Sequence, residues 1–123
     1  MVEGPLVSVV DDDDSVRESL PDLLRAFGFS AQAFSSAEAF LASEWLARTK
    51  CLVLDMAMPG MTGPELQREL IRRRAGIPVV FITAQASEAV RPGVIHPSAV
   101  ACLIKPFKPP ELIDAIHAAL ARP

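Results

Sequence analysis

Five short apolar runs, each followed by a stretch of helical spacing, constrain this chain more than any other feature. They cover residues 6–10, 29–34, 51–54, 78–82 and 100–104. Most are apolar throughout rather than alternating, which suits strands buried on both faces. Val16, Leu20, Leu23, Leu24 and Phe27 repeat at helical spacing and predict a helix over 15–27. Ser15 and Glu18 form a capping box at its start, and Gly28 stops it. Pro21 lies inside this helix, where it removes a hydrogen bond or kinks the axis. A second box, Ser35 with Glu38, opens a helix over 36–47. Thr62 and Glu65 form a third, with Pro64 in the first turn. That helix runs to about residue 74, with Leu66, Leu70 and Ile71 facing inward. Pro109 and Pro110 open the last helix, with Leu112, Ile116, Ala119 and Leu120 on one face. Strands alternating with helices predict an α/β domain whose parallel sheet is covered on both sides. We divide the chain into an N-terminal tail over 1–5 and one domain over 6–121.

Composition narrows the function. Hydrophobic residues make up 50% and charged residues 22%, which excludes a wholly disordered chain. The net charge of −3 lacks the basic footprint of a nucleic-acid-binding domain. No apolar run approaches the ~18 residues of a membrane span. The first residues carry Glu3 and no basic segment, so no secretory leader is expected. Cys51 and Cys102 stand singly in apolar runs, which fits small buried hydrophobes rather than a zinc site. A reducing, cytoplasmic setting fits this usage.

The polar residues at the strand ends carry the chemistry. The first strand delivers Asp11 and Asp12, the third Asp55, the fourth Thr83 and the fifth Lys105. In an open parallel sheet these ends face one crevice. Clustered carboxylates repel and favour a cation, and oxygen-only ligands beside a phosphate suit Mg²⁺. Lys105 offers a point charge and Thr83 a hydroxyl donor. A carboxylate nucleophile, a metal, a lysine and a hydroxyl form a coherent set for accepting a phosphoryl group. Other residues receive plainer readings. Asp13 and Asp14 are helix-start charges, 72–74 a solvated basic tail, and Trp45 helix packing. His96 and His117 have no partner at ligand spacing.

Over about residues 6–120 the chain resembles the receiver domain of two-component response regulators, within the CheY-like superfamily. The resemblance rests on Val9-Val10-Asp11-Asp12, Asp55 with Met58-Pro59-Gly60-Met61-Thr62-Gly63, Ile82-Thr83-Ala84 and Lys105-Pro106-Phe107. Ser36-Ala37-Glu38-Ala39-Phe40-Leu41 and Glu65-Leu66-Gln67 are similar to the FixJ-type branch. The resemblance implies a flavodoxin-like (βα)5 three-layer sandwich with strand order 2-1-3-4-5. It implies Asp55 as phosphoacceptor, and Mg²⁺ held by Asp12, Asp55 and the Ala57 carbonyl, with Asp11 acting through a metal-bound water. It further implies that Lys105 pairs with Asp55 or its phosphoryl group, that the Lys105–Pro106 peptide is cis, and that Thr83 bonds a phosphoryl oxygen. The implied partners are a sensor histidine kinase or histidine phosphotransfer protein, a downstream output domain or protein, and a second copy in a phosphorylation-dependent homodimer. Neither nucleic acid nor membrane is expected to contact this domain directly. Chemistry is limited to self-phosphorylation and slow autodephosphorylation, so the chain is not expected to be an enzyme acting on outside substrates.

Two departures stand out. Cys102 occupies a position where receivers commonly carry an aromatic residue. The segment 86–98 contains Pro92-Gly93 and His96-Pro97 where a regular helix is expected. Proline chemistry leaves at most one short turn near 87–90, with Val90, Val94 and Ile95 as anchors. This segment is expected to be irregular and to exchange amide hydrogens faster than the long helices. Two other functions compete with the receiver. One is an interaction module that keeps the fold without phosphorylation. The other is a phosphatase of the haloacid dehalogenase type, which needs a second acid where this chain has Ala57.

Overall fold

The structure, a computed structural model, describes residues 4–89 and 93–122. Five parallel strands, β1 (Leu6–Val10), β2 (Ser30–Phe34), β3 (Cys51–Asp55), β4 (Val79–Thr83) and β5 (Ala101–Ile104), pair in the order β2-β1-β3-β4-β5. The helices are α1 (Asp14–Ala26), α2 (Ala37–Leu41), α3 (Gly63–Arg72), α4 (Ala86–Ala89) and α5 (Pro109–Leu120). Every residue of β1, β3 and β4 is buried, whereas the edge strands are partly exposed. The all-apolar runs thus mark interior strands covered on both sides. Alternation along each strand divides the core in two. Val7, Val9, Val53, Val80 and Ile82 pack with Leu20 and Leu24 of α1 and with Leu112 and Ile116 of α5. Leu52, Leu54 and Phe81 pack with Phe40 of α2 and with Leu66 and Leu70 of α3. This is the expected three-layer sandwich in the expected strand order.

Details of the helices differ from the sequence reading. Asp13, not Ser15, caps α1: its Oδ1 accepts from the Ser15 N–H at 2.8 Å and the Ser15 hydroxyl at 2.7 Å. Aspartate is as good a cap as serine, and the helix therefore starts a residue early. The helix continues through Pro21, whose ring is buried; packing there outweighs the missing hydrogen bond. Phe27 lies past the helix end and is 52% exposed, and Ile71 on α3 is 43% exposed; neither joins the core. Ser36, not Ser35, caps α2, accepting from Ala39 N–H at 3.0 Å. Glu38 does not close a capping box there; it accepts from the Met61 N–H at 3.2 Å. The helix stops at Leu41 instead of 47, where Ser43 Oγ donates to the Phe40 carbonyl. A 3-10 turn over Leu46–Arg48 follows, with Arg48 over the Trp45 ring at 5.0 Å. The Thr62–Glu65 box on α3 is complete in both directions. Arg72 and Arg73 both clasp Glu69, so the basic run is partly paired.

Among the described residues, α4 comprises the four residues Ala86–Ala89. Val90, Arg91 and Pro92 lie outside the described residues, and with them the expected break and the Val90 anchor. Val94 and Ile95 do pack against the α3 side of the core. The irregular stretch from Gly93 onward is also stitched down by polar bonds. Buried Gln67 of α3 accepts from the His96 N–H at 2.9 Å and donates to the His96 carbonyl at 3.2 Å. Arg68 donates to the Gly93 carbonyl at 2.8 Å, and Arg122 to that of Ser98 at 2.6 Å. A protected amide at His96 is therefore expected within a stretch that otherwise exchanges fast. Gln67→Ala is expected to cost about 1–2 kcal/mol in denaturant unfolding, because it leaves two half-buried backbone groups of His96 without their partner. It should also abolish protection of the His96 amide. Unchanged protection in the variant would contradict this role.

Candidate functional site

Sheet register brings the strand ends together. Asp55 is the last residue of β3 and lies opposite Ile82, while Thr83 ends β4 opposite Ile104. Backbone bonds carry the ladder past the strands: Asp11 N–H to the Phe34 carbonyl, Met56 N–H to Ile82, and Lys105 N–H to Thr83 at 2.7 Å. These bonds fix the first residues of three loops, so the functional side chains start from rigid positions. Carboxylate oxygens of Asp11, Asp12 and Asp55 lie within 4.8 Å of one another. Asp11 and Asp55 are buried, and Asp12 opens to solvent.

Lys105 is the counter-ion. Its Nζ donates to Asp11 Oδ2 at 2.8 Å and stands 3.7 Å from Asp55 Oδ1. The closer partner is thus Asp11, whereas the family resemblance pointed to Asp55. Asp11 is the more deeply buried acid and attracts the cation more strongly in a drier setting. Its other oxygen, Oδ1, accepts from the Asp13 N–H at 2.9 Å. Asp55 has neither bond, and burial together with the Asp11 charge pushes its carboxyl up to about 7, against the pull of Lys105. For Lys105, burial works to lower the pKa, but Asp11 and Asp55 outweigh it and hold the ammonium protonated.

Thr83 is buried at the site edge, but its hydroxyl faces its own loop. It accepts from the Gln85 N–H at 3.1 Å and donates to the Gln85 carbonyl at 3.2 Å. Ala57 and Ala84 are exposed on the loops that follow β3 and β4. The Lys105–Pro106 peptide is cis, as the resemblance implies. Cys51 is buried and Cys102 half-buried.

Three residues support the site in ways the sequence does not announce. Arg17 of α1 donates to the Asp11 carbonyl at 3.0 Å and pairs with Asp14, bracing the acid loop. Its spacing from Asp14 is a helical ion-pair signal, but the bond to Asp11 is not legible locally. Glu38 ties the loop after Asp55 to α2. Gly63 approaches the Asp55 backbone so closely that a Cβ there would lie 2.2 Å from the Asp55 carbonyl oxygen.

The donor set fits a hard divalent cation. Three carboxylates converge on one point, only oxygen ligands are offered, and one lysine leaves negative charge uncompensated. Such an arrangement can bind a cation and present one carboxylate, Asp55, to an electrophile.

Comparison with known proteins agrees with this geometry. Residues 7–117 match the family described as the response regulator receiver domain. The chain is 42% identical over 117 residues to Nodulation protein W of Bradyrhizobium diazoefficiens, covering 95% of this chain and 52% of that protein. It is 38% identical over 122 residues to the transcriptional regulatory protein FixJ of Azorhizobium caulinodans, covering 99% of this chain and 58% of that protein. Among solved structures, FixJ-N superposes with a TM-score of 0.84 at 35% identity, covering all of this chain and 98% of that one. The response regulator StyR superposes at 0.86 with 46% identity, over 95% of this chain and 59% of that one. The chain spans about half the length of the curated relatives it matches. Among the described residues, no helix is long and apolar enough to cross a membrane.

Proposed function

The chain belongs to the response regulator receiver domain family, and on that footing we propose that Asp55 takes a phosphoryl group from the phosphohistidine of a sensor histidine kinase or a histidine phosphotransfer protein. The observation that carries this reading is the position of Asp55 at the end of β3. There it shares one cluster with Asp11 and Asp12, 3.7 Å from the Lys105 ammonium. A carboxylate oxygen of Asp55 forms the new P–O bond while the P–N bond to the donor imidazole breaks. The imidazole departs with a proton, and an acyl phosphate remains. Asp11, Asp12 and Asp55, with the Ala57 carbonyl, would hold Mg²⁺. When bound, this ion supplies positive charge that offsets the carboxylates and the transferring oxygens.

The remaining residues turn the charge change into motion. The phosphoryl group adds about one negative charge beyond the carboxylate it replaces, and three acceptor oxygens. Lys105 is shared unequally between Asp11 and Asp55, so added charge on Asp55 draws it across. Thr83 leaves Gln85 to donate to a phosphoryl oxygen, which pulls the loop before α4 inward. Release of that paired loop is the local event that biases an output surface. The output lies in a partner or a further domain, in keeping with relatives named as transcriptional regulators. Turnover of outside substrates lacks its general acid, since Ala57 stands where a phosphatase of the dehalogenase type needs one. No observation favours the phosphorylation-independent interaction module.

Incubation with acetyl phosphate and Mg²⁺ tests the proposal. Intact-mass measurement should show one added phosphoryl group on the wild type and none on Asp55→Asn. Equal labelling of the two would overturn the assignment. Mg²⁺ alone is expected to raise the melting temperature, because binding to the folded acids stabilises them by linkage. Asp12→Ala should weaken Mg²⁺ binding by roughly tenfold, equivalent to about 1.4 kcal/mol. An unchanged Kd by calorimetry would remove Asp12 from the ligand set.

A further inference from the structure

The acids crowd the carboxyl ends of the strands. The opposite edge, where the strands begin, has the reverse character. An open groove of about 1030 Å³ runs there between the ends of α3 and α5. Leu70, Ile77, Pro78 and Leu120 contribute its apolar floor. Lys50, Arg74 and Arg122 stand along it, and no carboxylate lines it among the described residues. A chain of net charge −3 has thus gathered uncompensated cations at this one edge.

Two of these cations have a local duty. Arg74 and Arg122 follow the last turns of α3 and α5, where positive charge offsets the helix dipole. Arg122 also donates to the Ser98 carbonyl. Lys50 has no such duty. It precedes β3, is exposed, and its ammonium meets no acid or acceptor among the described residues. The Arg74 guanidinium is likewise without a partner there. A smaller depression lined by Trp45 and Arg48 adjoins the groove and shares Lys50, which lengthens the cationic rim.

We propose that this groove docks an acidic, apolar-faced segment of a partner protein. Aliphatic side chains would cover the floor and carboxylates would meet Lys50 and Arg74. Nucleic acid fits less well. Its backbone needs a broad field of cations and has no use for a floor of leucine, isoleucine and proline. The site lies at the far end of the strands from Asp55, so docking and phosphoryl transfer can occur together.

Fluorescence anisotropy on the whole chain tests this, using as probe a short labelled peptide that alternates Glu and Leu. The peptide should bind at low salt and weaken as salt rises. Lys50→Glu combined with Arg74→Glu should weaken binding by roughly tenfold or more. Replacing Glu by Gln, or Leu by Ser, in the peptide should each weaken it as well. Lys108→Glu, an exposed charge away from the groove, should bind like wild type. If the double variant fails to fold, Lys50→Glu alone carries the test, with roughly threefold weaker binding expected. No binding by the wild type, or binding indifferent to charge reversal in the groove, would overturn the proposal. So would tighter binding of a DNA duplex, or self-association that the groove variants abolish. Acetyl phosphate labelling of Asp55 should be unaffected by the groove variants, which keeps this test separate from the phosphoacceptor assignment.

Discussion

Asp55→Asn is expected to stabilise the metal-free protein by about 2 kcal/mol at pH 8 and to change it little near pH 4. The folded carboxyl titrates near 7, above its ordinary value of 3.8, because it is buried beside the charge of Asp11. A raised carboxyl favours folding below its unfolded value. That advantage is lost as pH climbs from about 4 through 7. The shift alone sets a ceiling of roughly 4 kcal/mol, and relaxation of the acid cluster around the charge is expected to leave about half of it. Asparagine has the same shape without the charge, so the variant escapes the loss. At this chain length the gain corresponds to roughly 6–10 °C in melting temperature. Thermal melts in chelator at the two pH values measure it, and equal melting of the two proteins at pH 8 would contradict it. Mg²⁺ should narrow the gap by stabilising the wild type more.

Gly63→Ala should act in the opposite direction. Gly63 opens α3, and its N–H donates to the Met56 carbonyl at 3.1 Å. An added methyl would lie 2.2 Å from the Asp55 carbonyl oxygen and 3.1 Å from the Met56 Cα. Both neighbours are backbone at the end of a buried strand, so no side chain can swing aside. Either α3 or the end of β3 must move, at a cost of about 2–4 kcal/mol. Displacing β3 also displaces Asp55, so acetyl phosphate labelling should slow markedly in whatever fraction remains folded. Gly28→Ala is the contrast. It is strained by a φ of +92° but has nothing within 4 Å, and it should cost only about 1 kcal/mol. Wild-type stability and labelling in Gly63→Ala would show that the approach is softer than the geometry indicates.

The architecture was legible because its signals are local. Val7, Val53 and Val80 belong to apolar runs that only a doubly covered sheet explains, and the Thr62–Glu65 box marks α3 within four residues. Asp11, Asp55 and Lys105 were legible as one cluster because each follows its run directly and the sheet does the rest, whereas the Thr83 hydroxyl turns to Gln85 of its own loop. What the sequence hid depends on contacts between distant residues. Nothing near Lys105 states that Asp11 will be the drier and nearer acid. Gln67 looks like a solvated helix residue until His96 is placed over it from another segment. Phe27 and Ile71 fit the helical period, yet one lies past the helix end and the other at the margin of the buried face. The α2 helix ends at Leu41, and the Ser43 and Thr49 hydroxyls bond carbonyls in the turns that follow, which hydrophobic spacing does not register.

Reductive trapping identifies the phosphorylated aspartate itself. After treatment with acetyl phosphate and Mg²⁺, borohydride reduces an aspartyl phosphate to homoserine, and peptide sequencing by mass spectrometry locates the change. Homoserine is expected at position 55 alone, with Asp11 and Asp12 unaltered. Homoserine at position 11 or 12, or no conversion at any aspartate of a folded, Mg²⁺-bound chain, would contradict it.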